Sequence, residues 1–174
     1  MKTIYLIRHA KSSWSDPDLD DFERPLNKRG RRDLAFLAER LAELKVEPDV
    51  VLSSPATRAA LTARFIADAI HYPATGIRYR EAAYMAGIDG LLQATVELEE
   101  AVNTAIIVGH NPALTDFATY LRGREVEDIR TCGLFGAELG IPSWDRLNQG
   151  CGEMKVLEFP KREKKGKKGT SAKS

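Results

Sequence analysis

Two rhythms of apolar and polar residues alternate along the chain. Short unbroken apolar runs occur in "TIYLI" near the start, "PDVVLSS" from position 48 and "NTAIIVGH" from position 103. Their length and β-branched content predict strands buried on both faces. Between them the period lengthens. In "NKRGRRDLAFLAERLAELK", Leu34, Leu37, Leu41 and Leu44 recur at helical spacing. "SPATRAALTARFIADAIH" predicts a second helix, with Ser54 as N-cap and Pro55 at the first helical position. "GIRYREAAYMAG" is a connecting piece leading to a third helix around "DGLLQATVELEEAV". "NPALTDFATYLRG" predicts a fourth, with Pro112 near its start and Gly123 at its end. "FGAELGI" and "KVLEFP" read as two further strands in an edge hairpin. Strands alternating with helices imply βαβ units, hence a three-layer α/β/α sandwich around a mainly parallel sheet. In such folds ligands bind outside the carboxyl ends of the strands.

Composition narrows this picture. The 174 residues suit one domain, and 43% hydrophobic with 29% charged residues gives both a core and a soluble surface. No apolar run approaches the about 20 residues of a membrane span. The first residues read as a strand, not a leader. Two cysteines, Cys132 and Cys151, do not make a disulfide framework, which implies a reducing, cytoplasmic location. The net charge of +1 hides an asymmetry: the last fifteen residues, "PKREKKGKKGTSAKS", carry seven Lys and Arg against one Glu, so the rest is near −5 (1 − 6). The expected division is one domain over 1–160 and a basic, disordered tail over 161–174. A solvated tail is the reading preferred; loose binding of nucleic acid or an acidic partner is the lesser one.

Chemistry gathers at three strand ends. The first strand delivers Arg8 and His9. The second ends in Ser53-Ser54-Pro55, with Arg58 one turn into the next helix. The strand "AIIV" ends in Gly109-His110-Asn111-Pro112. If these strands are parallel neighbours, two arginines and two histidines meet at one sheet edge. Two guanidiniums suit a dianion, since Arg binds phosphate bidentately and stays charged at any working pH. Helix N-termini after each strand add N–H donors. A neutral imidazole is a competent nucleophile toward phosphorus. His9 is the candidate nucleophile, and His110 a donor to the transferring oxygens. His71 closes a helix and is read as structural. No metal or other cofactor is called for: the cysteines lie elsewhere and no carboxylate stands beside either site histidine at ligand spacing.

The stretches "LIRHAKSSW", "SSPATRA" and "VGHNP" resemble the histidine phosphatase superfamily, the phosphoglycerate mutase-like branch. The pattern from Arg8 to Gly30, with Arg-His-Ala-Lys-Ser-Ser-Trp followed by Asp-x-x-Arg-Pro-Leu-Asn-x-Arg-Gly, is most similar to short SixA-type phosphohistidine phosphatases. The resemblance runs from Thr3 to about Phe159. It implies a phosphoglycerate mutase-like fold and a hydrolase in which His9 becomes phosphorylated. Arg8, Arg58 and His110 then bind the phosphoryl group. Glu81 falls where many members place a general acid, with Asp16, Asp18, Asp20 and Asp21 as rivals. Ala10 stands where many members have Gly. Ser15 stands where mutase-like members often carry Asn, which leaves Ser12 or Ser15 as a minor phosphate contact.

Short connections leave no room for lid insertions, so the site is expected to be open, which suits hydrolysis and a phosphorylated side chain on another protein. The expected partner is therefore a phosphorylated protein or small phosphorylated substrate, with no membrane and a monomeric state. The alternatives are a small-molecule or sugar-phosphate phosphatase with the same pocket, and a non-catalytic phosphate-binding module.

Overall fold

In the computed structural model, which describes residues 1–161, six strands form one sheet in the order β3-β2-β4-β1-β5-β6. They are β1 (Lys2–Arg8), β2 (Val50–Ser53), β3 (Arg78–Tyr79), β4 (Thr104–Gly109), β5 (Leu134–Leu139) and β6 (Gly152–Glu158). Strands β1 to β4 run parallel, β5 is antiparallel to β1, and β6 is antiparallel to β5. The expected basic tail from 162 onward lies outside the described residues.

The four helices are α1 (Lys28–Glu43), α2 (Thr57–Ala69), α3 (Gly87–Val96) and α4 (Ala113–Arg122). Strand alternation divides the core in two. Ile7, Val51, Ile106 and Val108 pack with Leu34, Leu37 and Leu41 of α1 and Ala63 and Ile66 of α2. Ile4, Leu6, Val50, Leu52 and Ile107 pack with Leu91 of α3 and Leu114, Phe117 and Leu121 of α4. Helices therefore cover both faces, and β2 is buried along its whole length. This is the α/β/α sandwich that the alternation of runs implies. On the α3–α4 side Trp144 is fully buried, its indole N–H donating to the Val102 carbonyl at 2.8 Å.

Two glycines fix geometry that matters later. Gly30, on the buried face of α1, lies so near the loop after β1 that a Cβ there would meet the Lys11 carbonyl oxygen at 2.1 Å. Gly123 ends α4 with φ 75°, a left-handed cap favoured by glycine. Asn27 caps α1 by accepting the Gly30 N–H at 2.8 Å.

Some elements differ from expectation. Helix α2 begins at Thr57, with Ala56 and not Ser54 at the N-cap, because the buried Ser54 hydroxyl is bonded to His110 across the sheet. Within the connecting piece, Arg78–Tyr79 adds a two-residue strand beside β2. Helix α3 stops at Val96, since Leu98 and Val102 turn back into the core. His71 follows the end of α2 with φ 59°, in the conformation that closes a helix. Both cysteines are free thiols.

Candidate active site

Register brings the three strand ends level. Arg8 pairs with Gly109 across β1 and β4, and Ser53 with Val108 across β2 and β4. The His9 N–H donates to the Gly109 carbonyl at 3.1 Å, and the Ser54 N–H to the Val108 carbonyl at 2.9 Å. His9, His110 and Ser54 thus leave the sheet side by side. The two imidazole centroids are 5.0 Å apart. Arg58, in the first turn of α2, joins them as the helix geometry predicts.

The cavity at this edge is about 260 Å³, lined chiefly by Arg8, His9, Ser12, Arg24, Arg58 and His110. Lys11, Trp14, Asn111 and Thr131 complete its wall. Arg24 and Ser12 arrive from the loop after β1. That loop doubles back through a bridge between Ser12 and Leu26 and an Asn27 N–H donating to the Lys11 carbonyl at 2.9 Å. Arg24 Nη1 donates to Ser12 Oγ, and its guanidinium lies 3.5 Å from the ring centroid of Trp14, whose indole is 75% exposed at the mouth.

Hydrogen bonding sets the state of each imidazole. His9 Nδ1 lies 2.7 Å from the Ala10 carbonyl, which can only accept, so Nδ1 carries the proton and Nε2 keeps its lone pair. Burial, against the Ala10 hydrogen bond and helped by the nearby His110, Arg58 and Arg8 charges, pushes the His9 pKa down to about 3. Ser54 Oγ accepts the Ala56 N–H at 3.2 Å and lies 2.7 Å from His110 Nε2. A hydroxyl proton directed to Nε2 leaves the His110 proton on Nδ1. Burial first, then Arg58, lowers the His110 pKa to about 4. Both rings are neutral at pH 7. Burial also lowers the Arg8 pKa, against the opposing charge of Asp128.

Among the described residues, three buried side-chain nitrogens have no hydrogen-bond partner: Arg8 Nε, Arg58 Nε and His110 Nδ1. All three belong to residues lining this one cavity. Buried donors are normally satisfied, so their concentration here gives the cavity the capacity to hold an oxyanion.

Arg8, His9, Arg58 and His110, singled out from the sequence, therefore meet. Ser15 does not join them: it is exposed on the loop, its hydroxyl 2.7 Å from Ser13 Oγ, while Ser12 lies on the cavity wall. Glu81 is exposed at the start of a 3-10 turn after β3 and does not line the cavity. Asp16, Asp18 and Asp20 stay on the exposed loop, whereas Asp21 reaches Arg24, Arg58 and Tyr84. Burial would raise the Asp21 carboxyl, but hydrogen bonds from Tyr84, Arg24 and Arg58 outweigh it and hold it well below the usual carboxylate range. The strand-end argument missed Arg24 and Ser54. The signal for Arg24 was the Arg-Pro-Leu-Asn stretch; that for Ser54 was its place directly after a strand end.

A mainly parallel α/β sheet whose edge gathers two histidines and three arginines in one cavity has the chemistry of a phosphoryl-handling protein. The family model for the histidine phosphatase superfamily (branch 1) matches residues 4–84. An uncharacterized protein of Mycobacterium tuberculosis is 34% identical over 166 residues, covering 89% of this chain and 100% of that one. An uncharacterized chloroplastic protein of Arabidopsis thaliana is 30% identical, covering 83% of this chain and 69% of the relative. Among solved structures, the SixA protein of Agrobacterium tumefaciens superposes with a TM-score of 0.78 at 25% identity, covering 91% of this chain and 98% of that one. The protein histidine phosphatase SixA complexed with tungstate gives 0.75 at 23% identity, covering 91% and 97%, a likeness of fold. The chain belongs to the histidine phosphatase superfamily. Family and neighbours together make it a phosphatase.

Proposed function

We propose that this phosphatase hydrolyses phosphohistidine on a protein, through a covalent intermediate on His9. The observation that carries the reading is the set of three unpartnered nitrogens beside a neutral His9 whose Nε2 bears the lone pair. Nε2 attacks phosphorus, a P–N bond to His9 forms, and the bond to the leaving group breaks. Arg8, Arg24, Arg58 and the His110 Nδ1–H take up the charge on the phosphoryl oxygens. Water then attacks the phosphorylated His9, phosphate departs and the imidazole is regenerated with its Nδ1 proton.

The leaving group needs a proton. Glu81, to which the family resemblance gives the general acid role, stands exposed outside the cavity wall, and Asp21, held ionised by its partners, is a poor proton donor. The P–N bond of phosphohistidine is labile enough to need little help, which fits a cavity whose wall has no free carboxylic acid.

Size supports a large substrate. A cavity of about 260 Å³ falls below the ~300–1,000 Å³ of pockets that enclose whole small ligands. It suits a phosphoryl group whose carrier stays outside. The SixA structure held tungstate, an oxyanion of phosphate-like shape, which accords with the same use here.

The test is a panel of phosphohistidine proteins, phosphoamino acids and sugar phosphates, run with wild type and His9→Ala, with rapid quench for an acid-labile phosphoenzyme. Turnover of phosphohistidine by wild type alone, with the phosphoenzyme trapped, is the expected result. A His9→Ala protein that retains full activity refutes the mechanism. Faster turnover of a sugar phosphate than of any phosphohistidine protein refutes the substrate class.

A further inference from the structure

One residue of the Asp-Phe-Glu-Arg-Pro-Leu stretch has no part in the chemistry above. Asp21 sits on a 3-10 turn (Asp21–Glu23) that buries nothing of its own, yet its carboxylate and carbonyl accept four side-chain hydrogen bonds from Arg24 and Arg58 of the cavity wall and a fifth from Tyr84. Its Oδ1 accepts from Arg24 Nε at 3.1 Å and Nη2 at 2.9 Å. Its Oδ2 accepts from Arg58 Nη2 at 3.0 Å and from the Tyr84 hydroxyl at 2.7 Å. Its carbonyl oxygen accepts from Arg58 Nη1 at 2.7 Å.

Two bonds to one planar guanidinium fix its tilt as well as its position. Asp21 does this to two guanidiniums at once, and both line the cavity. Like charges held side by side repel, and the carboxylate between them offsets that repulsion. Each guanidinium keeps further N–H groups, the unpartnered Arg58 Nε among them.

We infer that Asp21 is the positioning residue of the phosphoryl site: it sets Arg24 and Arg58 in their binding orientation before the substrate arrives. Tyr84 supports the same carboxylate, its ring 5.4 Å from His110 and 5.3 Å from Phe22. The inference rests on the phosphoryl-site reading of the preceding subsection.

The sign of one measurement separates positioning from simple charge. Removing a carboxylate makes the cavity one unit more positive, so charge alone predicts tighter binding of an anion. Positioning predicts weaker binding, because the guanidiniums lose their fixed angle.

The experiment is calorimetric titration of inorganic phosphate into wild type, Asp21→Asn, Asp21→Glu and Tyr84→Phe, with kcat and KM on a simple aryl phosphate. The expected result is a phosphate Kd about tenfold higher for Asp21→Asn, the size of a lost charge-assisted contact. KM is expected to rise with it, at an unchanged melting temperature. Asp21→Glu, with its charge kept and its reach altered, is expected to bind phosphate more weakly as well. Tyr84→Phe removes one bond and no charge, so it gives a smaller loss in the same direction even if Asp21→Asn folds poorly. If wild type binds phosphate and the Asp21 variants bind it equally or more tightly, this inference alone is overturned. If wild type leaves phosphate in solution, the site reading fails and the inference falls with it.

Discussion

His9 and His110 share a sheet edge and carry their proton on the same ring nitrogen, Nδ1, but different partners hold them so, a carbonyl at Nδ1 of His9 and a hydroxyl at Nε2 of His110. Removing the hydroxyl with Ser54→Ala is expected to lower kcat/KM by about 10–10² while leaving the chain folded, since His110 then loses the partner that fixes its proton. Steady-state kinetics of that variant checks it. The two rings also predict an acid response. Burial depresses both pKa values, from an ordinary 6.5 to about 3 and about 4, so the unfolded chain binds protons that the folded one does not. Their contribution is fully present above pH 6.5 and is lost as pH falls toward 4 and then 3. The slope is at most about 1.4 kcal/mol per pH unit for each ring. Urea midpoints between pH 7 and 4 are expected to fall steeply in wild type and less steeply in His110→Asn. Arg8, His9, Arg58 and His110 were legible because each closes a buried strand or stands within a few residues of its end. Ser54 was not: a small polar residue before a proline reads as a cap, and only the cross-sheet partner shows otherwise.

The loop after β1 is the element that links sequence to site least directly. It has no apolar period, so apart from the Arg-Pro-Leu-Asn stretch nothing in residues 10–27 points to Arg24, and no periodicity foretells its return to the cavity that His9 opens. Its path is set by the Ser12–Leu26 bridge and by the close seat of Lys11 on Gly30. Gly30→Ala is therefore expected to push the loop outward, since the added methyl would overlap backbone. A stability loss of about 1–3 kcal/mol is expected. A fall in kcat/KM should accompany it, because Ser12 and Arg24 move together. A thermal melt read beside kinetics distinguishes this from a purely structural defect. The buried strands, by contrast, were readable from their unbroken apolar runs. Strand β3 was missed because two residues carry no pattern, and α3 was overextended because its apolar residues continue past the point where Leu98 turns inward.

At the scale of the molecule, a chain that is near −5 over residues 1–159 places Arg8, Lys11, Arg24 and Arg58 around one small opening. Anions are drawn to the opening and repelled elsewhere, so phosphate affinity is expected to fall with added salt while the melting temperature changes little. Titration at 50 and 500 mM salt tests this. Described residues up to Phe159 build both faces of the core, so a chain cut after Lys161 is expected to keep the melting temperature and aryl phosphatase activity of the full chain. The α/β/α architecture was readable because alternation of elements constrains topology. The order of the outer strands depended on pairings that no local pattern carries.

The indole of Trp14, stacked on Arg24 at the mouth, has one counterpart in the chain, the enclosed Trp144. Each ring has a cation near it, Arg24 at 3.5 Å from Trp14 and Lys2 at 5.9 Å from Trp144, but only Trp14 meets water and lines the cavity. Emission at the long-wavelength side of the spectrum comes from the solvated ring, so it reports occupancy of the mouth without a label. The blue-shifted emission of the enclosed ring reports unfolding. A single sample thus carries separate optical channels for ligand and for fold.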